Sequence, residues 1–181
     1  DVMSKKIIFL GVDGTLVNDN GIVPASAIMA IKQARKNEHL VFLCTGRSLA
    51  EIYPHILDVG FDGIIGAGGG FVTIGDEMLY HKKVSDNDVH RVVDFFEEND
   101  YDYYLESNGG LFASENLVSR LEKITYGDLE NDENARKKKE EQPSHFITSL
   151  IEGESMYRSD VNKICFLENK DIPFQTINDH F

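Results

Sequence analysis

Two turns in this chain hold residue types that could do chemistry. The first is Gly11-Val12-Asp13-Gly14-Thr15-Leu16 and the second is Cys44-Thr45-Gly46-Arg47. Each follows a short apolar run, Ile7-Ile8-Phe9-Leu10 in one case and Val41-Phe42-Leu43 in the other. Asp13 can move a proton or hold a cation, and the Thr45 hydroxyl can hold an oxyanion. Gly14 and Gly46 let the backbone come close to an anion. Arg47 carries a planar fork that suits phosphate, although a solvated or helix-starting role fits that residue equally well. Chemistry at a strand end usually needs two acidic groups. Here one stands at position 13, and position 11 is a glycine. Either turn alone is weak evidence, because Asp-Gly-Thr also makes ordinary loops. The two in order, each after a buried strand, are strong evidence.

The elements that must position these turns alternate between strand and helix. Lys5 to Val12 is a nearly continuous apolar run, the pattern of a parallel strand covered on both faces. Pro24 can open a helix, with Ala27, Ile31 and Ala34 at helical spacing behind it. Leu40 to Thr45 reads as a second buried strand. Leu49, Ile52, Tyr53, Ile56 and Leu57 form a helical stripe, and Gly63 to Ala67 reads as a third strand. This order predicts right-handed crossovers and a parallel sheet. Ligands of open parallel sheets bind beyond the carboxyl ends of the strands. If the first two strands are neighbours, Asp13 and Thr45 face a common point.

The style changes after the glycines at 68 to 70. Phe71 to Ile74 and Met78 to Tyr80 predict a hairpin, and Ser85-Asp86-Asn87-Asp88 resembles a helix cap ahead of Val89, Val92, Val93 and Phe96. Tyr101 to Glu106 and Leu111 to Ala113 flank a second hairpin turn. Leu117, Leu121 and Ile124 mark a helix, Ile164 to Leu167 a strand, and Phe174 to Phe181 the start of one more helix. The expected organisation is an α/β unit over 3–82 and an α+β unit over 83–181. Gly66-Ala67-Gly68-Gly69-Gly70 is not a dinucleotide fingerprint, because a hairpin follows it and not a helix.

Bulk properties exclude several classes. The 181 residues are 41% hydrophobic, enough for a core. The net charge of −13 argues against nucleic acid as a partner. No apolar run approaches a membrane span and no signal peptide precedes the first strand, so a cytoplasmic protein is expected. Asp1-Val2 ahead of Met3 reads as an extraneous leader, with Met3 as the natural start. Cys44 and Cys165 read as reduced core residues. The six histidines lack metal-ligand spacing.

The two turns together resemble a haloacid dehalogenase (HAD)-superfamily phosphatase of the Cof-like branch. The family's first motif, Asp-x-Asp-Gly-Thr-Leu, is matched by residues 11–16 except at its first position, where Gly11 stands. Thr45 matches the second motif, with Gly46-Arg47 behind it, and the likeness is specific over about residues 5–82. The resemblance implies a Rossmann-like parallel-sheet core with an inserted α+β cap, Mg²⁺ as cofactor with Asp13 at the metal, and a small phosphorylated metabolite as partner. It also implies a two-step transfer through an aspartyl-phosphate. The first aspartate is the nucleophile, Asp13 the proton donor and then the base, and Thr45 the holder of a phosphate oxygen. Gly14, Thr15, Gly46 and Arg47 line the phosphate.

Gly11 can supply no nucleophile. The family's lysine and its late Gly-Asp-x-x-Asn-Asp motif are not recognisable before Phe181. The chain as written is therefore expected to be inactive, with a non-catalytic phospho-ligand-binding role as the alternative. An engineered trap, a sequence variation and a natural pseudoenzyme all account for Gly11. If the chain is truncated, its first strand exposes an apolar edge and self-association is expected.

Overall fold

The first strand, β1 (Ile7–Leu10), alternates in burial: Ile8 and Leu10 pack on a core, while Ile7 and Phe9 are more than half exposed. A computed structural model describes residues 4–168, 171 and 174–181. The expected start at Met3 lies outside them. The chain divides into two compact units, one ending at Lys83 and the other beginning at Val84.

In the first unit β1 pairs in parallel with β2 (Leu40–Cys44), and β2 with β3 (Gly63–Gly66). An antiparallel hairpin, β4 (Phe71–Ile74) and β5 (Glu77–His81), extends the sheet in the order β1-β2-β3-β4-β5. Helix α1 (Ala25–Lys36) follows Pro24, whose fixed φ suits a helix start. One sheet face carries Ile8, Leu10, Val41, Leu43 and Ile64, packed with Ile31 of α1 and with Ile52, Ile56 and Val59.

Two expectations fail here. β1 is not covered on both faces. Its second face, with Ile7, Phe9 and the neighbouring Leu40, is exposed, and Cys44 is exposed as well. The reason is positional, because among the described residues the helical layer packs against the Ile8 side of the sheet. The apolar run did not reveal this, since a strand with one covered face can still be apolar on both. Nor is 49–57 one helix. A 3₁₀ turn at Leu49–Glu51 is separated from α2 (Pro54–Leu57) by Ile52 and Tyr53 in extended backbone. Proline pushes the residue before it out of the helical region, and Tyr53 sits at φ −67°, ψ 155°. The stripe Ile52, Ile56 still reaches the core through this broken path.

In the second unit, α3 (Asp86–Glu98) is capped by Ser85, whose Oγ accepts the Asp88 N–H at 3.1 Å and donates to the Asp88 carboxylate at 2.7 Å. Strands β6 (Tyr103–Ser107) and β7 (Leu111–Ala113) form a hairpin. Helices α4 (Leu117–Tyr126), α5 (Glu133–Glu141) and α6 (His145–Ser149) lead to β8 (Leu150–Ile151), then β9 (Val161–Phe166) and α7 (Phe174–His180). The sheet order is β8-β7-β6-β9. Tyr103, Leu105, Ile164 and Phe166 share the face that packs on Val89, Val93 and Phe96 of α3. Tyr101 and Tyr103 are core residues of this cluster, and Tyr104 packs against Phe146 on the other face. Burial, and then a hydrogen bond to Glu97, push the Tyr103 phenol well above its ordinary pKa, so it stays neutral. Among the described residues no helix is long and apolar enough to cross a membrane.

Candidate functional site

Leaving β1, the chain passes Gly11 in extended backbone, at φ −68° and ψ 153°. It then makes a wide turn closed by the Val17 N–H on the Val12 carbonyl at 3.1 Å. Val12 and Leu16 are buried and anchor both ends of the turn. Asp13, Gly14 and Thr15 are left exposed between them. Gly14 sits at φ +72°, the left-handed region where a side chain is strained, so the Asp-Gly pair is what lets this turn close.

The second turn leaves the same end of the sheet, because β1 and β2 run parallel with Leu10 beside Leu43. Thr45 is buried, and its N–H donates to the Ile65 carbonyl at 2.9 Å. The Thr45 carbonyl accepts the Gly68 N–H at 3.1 Å, and the Arg47 carbonyl accepts the Ala67 N–H at 2.8 Å. The glycine-rich run after β3 thus braces the second turn. Gly66 is required there, since a Cβ would run into the Phe71 ring. The Thr45 hydroxyl accepts the Arg47 N–H at 3.1 Å, and Gly46 lies exposed between them.

Arg47 joins the two turns. Its Nε donates to Asp13 Oδ2 at 2.9 Å and its Nη2 to Asp13 Oδ1 at 2.6 Å, a two-pronged ion pair across 34 residues. Its Nη1 donates to the Glu51 carbonyl at 3.0 Å, and the guanidinium carbon lies 5.6 Å from the centre of the Tyr53 ring. The Arg47 side chain is only 17% exposed, against 64% for Asp13. The hydrogen bond to Asp13 raises the Arg47 pKa above its ordinary value against the opposing pull of burial, so the cation is permanent.

The structure therefore brings Asp13, Thr45 and Arg47 to one end of the sheet, with Gly14 and Thr15 on the first turn and Gly46 on the second. Gly11 opens onto the same place: a Cβ there would lie 3.2 Å from Thr15 Oγ1 and 3.9 Å from the Cys44 carbonyl. Its backbone conformation admits any residue. The Glu51 carbonyl and the Tyr53 ring, which hold Arg47, do not follow from the motifs. The signal was Pro54, which forces Tyr53 out of a helix and lets it reach the guanidinium.

The magnesium implied by the resemblance does not fit the donors that this chain supplies. Position 11 has no carboxylate, and both Asp13 oxygens are engaged by Arg47. Among the described residues no group of three or more His, Cys, Asp or Glu side chains converges to hold a metal.

The chain matches the haloacid dehalogenase-like hydrolases over residues 8–181, and it belongs to that family. A curated relative, "Putative phosphatase YkrA" of Bacillus subtilis (strain 168), is 26% identical over 91 residues, covering 50% of this chain and 35% of its own length. Two solved structures share the fold. BT4131, described as a HAD subclass IIB sugar phosphatase, superposes with a TM-score of 0.51 at 23% identity over 65% of this chain and 48% of its own. A member of a phosphoryl-transfer superfamily, described for its trigonal-bipyramidal intermediate, does so with a TM-score of 0.64 at 17% identity over 99% of this chain and 62% of its own. The chain spans less than two thirds of the length of each. The fold is thus an α/β architecture with a parallel-containing, Rossmann-like HAD core sheet.

Proposed function

We propose that this chain is the phosphate-recognising part of a cytoplasmic phosphatase for small phosphorylated metabolites, with its nucleophilic step disabled by Gly11. The observation that supports this most is the convergence of Asp13, Thr45 and Arg47 beyond the carboxyl ends of two adjacent parallel strands. In this reading the unit over 3–82 is part of the catalytic core and the unit over 83–181 is a cap that selects substrate. Sugar phosphates are the favoured class, because a structural relative is described as a sugar phosphatase.

The roles follow from chemistry. Phosphoryl transfer needs an attacking group in line, charge stabilisation at the equatorial oxygens and a proton for the leaving oxygen. Thr45 Oγ, the Arg47 fork and the backbone around Gly14, Thr15 and Gly46 bind and orient the phosphate. Asp13, two residues past position 11, carries a proton to the leaving oxygen once it has let go of Arg47, and then takes one from the attacking water. A carboxylate at 11 would form the bond to phosphorus, but Gly11 forms none. When bound, a divalent cation supplies neutralisation of phosphate charge, and a carboxylate at 11 is what would give it a seat.

A Cβ at 11 is compatible with the fold, since its one tight contact is the rotatable Thr15 hydroxyl at 3.2 Å. In the full-length protein, Gly11→Asp is expected to raise metal-dependent phosphate release from sugar phosphates by roughly 10⁴-fold or more over the glycine form. No release by the folded variant would sink the phosphatase reading. The second reading, a phospho-ligand binder without turnover, is favoured by Gly11 itself and by the closed Asp13–Arg47 pair. Ester binding by the glycine form without release in either form supports it.

A further inference from the structure

We infer that Asp13 is an internal stand-in for the ligand's phosphate on Arg47, so that an oxyanion binds by displacing this carboxylate and needs no divalent cation. The inference rests on the reading of the site as a phosphate site and adds how this chain fills and empties it.

Three observations carry it. First, the Asp13 carboxylate meets Nε and Nη2 of Arg47 in parallel, at 2.9 and 2.6 Å, which is the same two-point geometry by which a guanidinium takes a phosphate. The carboxylate therefore sits on the edge of the fork that a phosphate would use. Second, the partners differ in how they are held. Arg47 is mostly buried, tied to the Glu51 carbonyl at 3.0 Å and set beside the Tyr53 ring. Asp13 is mostly exposed, on a turn next to a glycine in the left-handed region. A competing anion displaces the more exposed partner, and Arg47 stays. Third, the charge that would neutralise the phosphate already belongs to the protein. Arg47 is a permanent cation, while the carboxylates that would seat a metal are absent at 11 and occupied at 13. The Thr45 hydroxyl accepts the Arg47 backbone N–H at 3.1 Å, on the same turn as the fork.

The consequence is a competition. If the fork is free only a tenth of the time, the apparent phosphate affinity is about tenfold below its intrinsic value, and removing the competitor restores it. The test is titration of the full chain with inorganic phosphate, followed by calorimetry and ³¹P NMR, with EDTA and then with magnesium.

Binding in EDTA that magnesium changes less than about threefold, tightening about tenfold in Asp13→Asn and weakening at least tenfold in Arg47→Ala, is the expected result. Arg47→Lys, which keeps the charge but loses the fork, should fall between the parent and Arg47→Ala. Thermal melts check that each variant is folded, and Arg47→Lys serves if Arg47→Ala is not. Binding that requires magnesium would overturn the cation-free inference and leave the phosphate-site reading standing. An Asp13→Asn variant that binds no tighter would overturn the stand-in. No binding by parent or Asp13→Asn, with or without magnesium, would remove the phosphate site and the inference with it.

Discussion

Arg47–Asp13 in the first unit, which also holds a two-pronged Arg35–Asp62 pair, and Arg158–Asp160 in the second are built alike and do different work. Arg47 reaches Asp13 across 34 residues and ties two strand-end turns together. Arg158 reaches Asp160 two residues away, with Nε and Nη2 both 2.9 Å from the carboxylate, and its guanidinium carbon sits 3.5 Å from the centre of the Phe112 ring. The chemistry is the same but the support differs. Arg158 lies over an aromatic ring and its pair closes within one loop, so it organises that loop. Arg47 is held by a backbone carbonyl and a ring, and its aspartate is 64% exposed, whereas Asp160 is 41% exposed and is also hydrogen-bonded to Ser107. An ion pair becomes a candidate site when one partner is fixed and the other can be exchanged.

That contrast can be broken experimentally. The largest separation is expected in phosphate binding: Arg47→Ala should weaken it at least tenfold while Arg158→Ala leaves it within about twofold, by ³¹P NMR titration. Equal losses would remove the distinction. Next, Arg158→Ala should lower stability by about 1 kcal/mol in chemical denaturation, since it loses a partly exposed ion pair and its stacking on Phe112. Tyr53→Ala should be milder and should act on affinity, weakening phosphate about threefold as Arg47 loses one of its supports.

The smallest effect is in pH. The hydrogen bond from Arg158 holds the Asp160 carboxyl below its ordinary pKa. A depressed carboxylate stabilises the fold fully above the unfolded value of about 4, and that stabilisation is lost as pH falls through the lower folded value. The Tm gap between parent and Asp160→Asn should therefore narrow between about pH 5 and about pH 2. A gap that widens on acidification would contradict the pairing.

Much of this was legible in the residues. Asp13-Gly14 after one apolar run and Thr45-Gly46-Arg47 after the next pointed to the same sheet end, and parallel pairing of Ile7–Leu10 with Leu40–Leu43 puts them there. The cap at Ser85 and the helix behind it were equally clear, because both are local hydrogen-bond and periodicity effects. The break between Leu49 and Leu57 was missed. A five-residue apolar stripe outweighed one proline, although the proline decides the backbone and the stripe only says which side is buried. The exposed face of β1 was missed for a different reason. Apolar composition records which residues can be covered, and the packed neighbours decide which ones are.

By itself the sequence determined much of the strand and helix order, though not α5, α6 or β8, together with the two turns and the glycine at 11, since each depends on residue type and near neighbours. Only the tertiary structure decided that Arg47 turns to Asp13, that the Glu51 carbonyl and Tyr53 hold it there, and that one face of the first strand stays open. Those outcomes depend on distances between segments far apart along the chain. No local pattern encodes them until the sheet has set its register and the core has chosen a side.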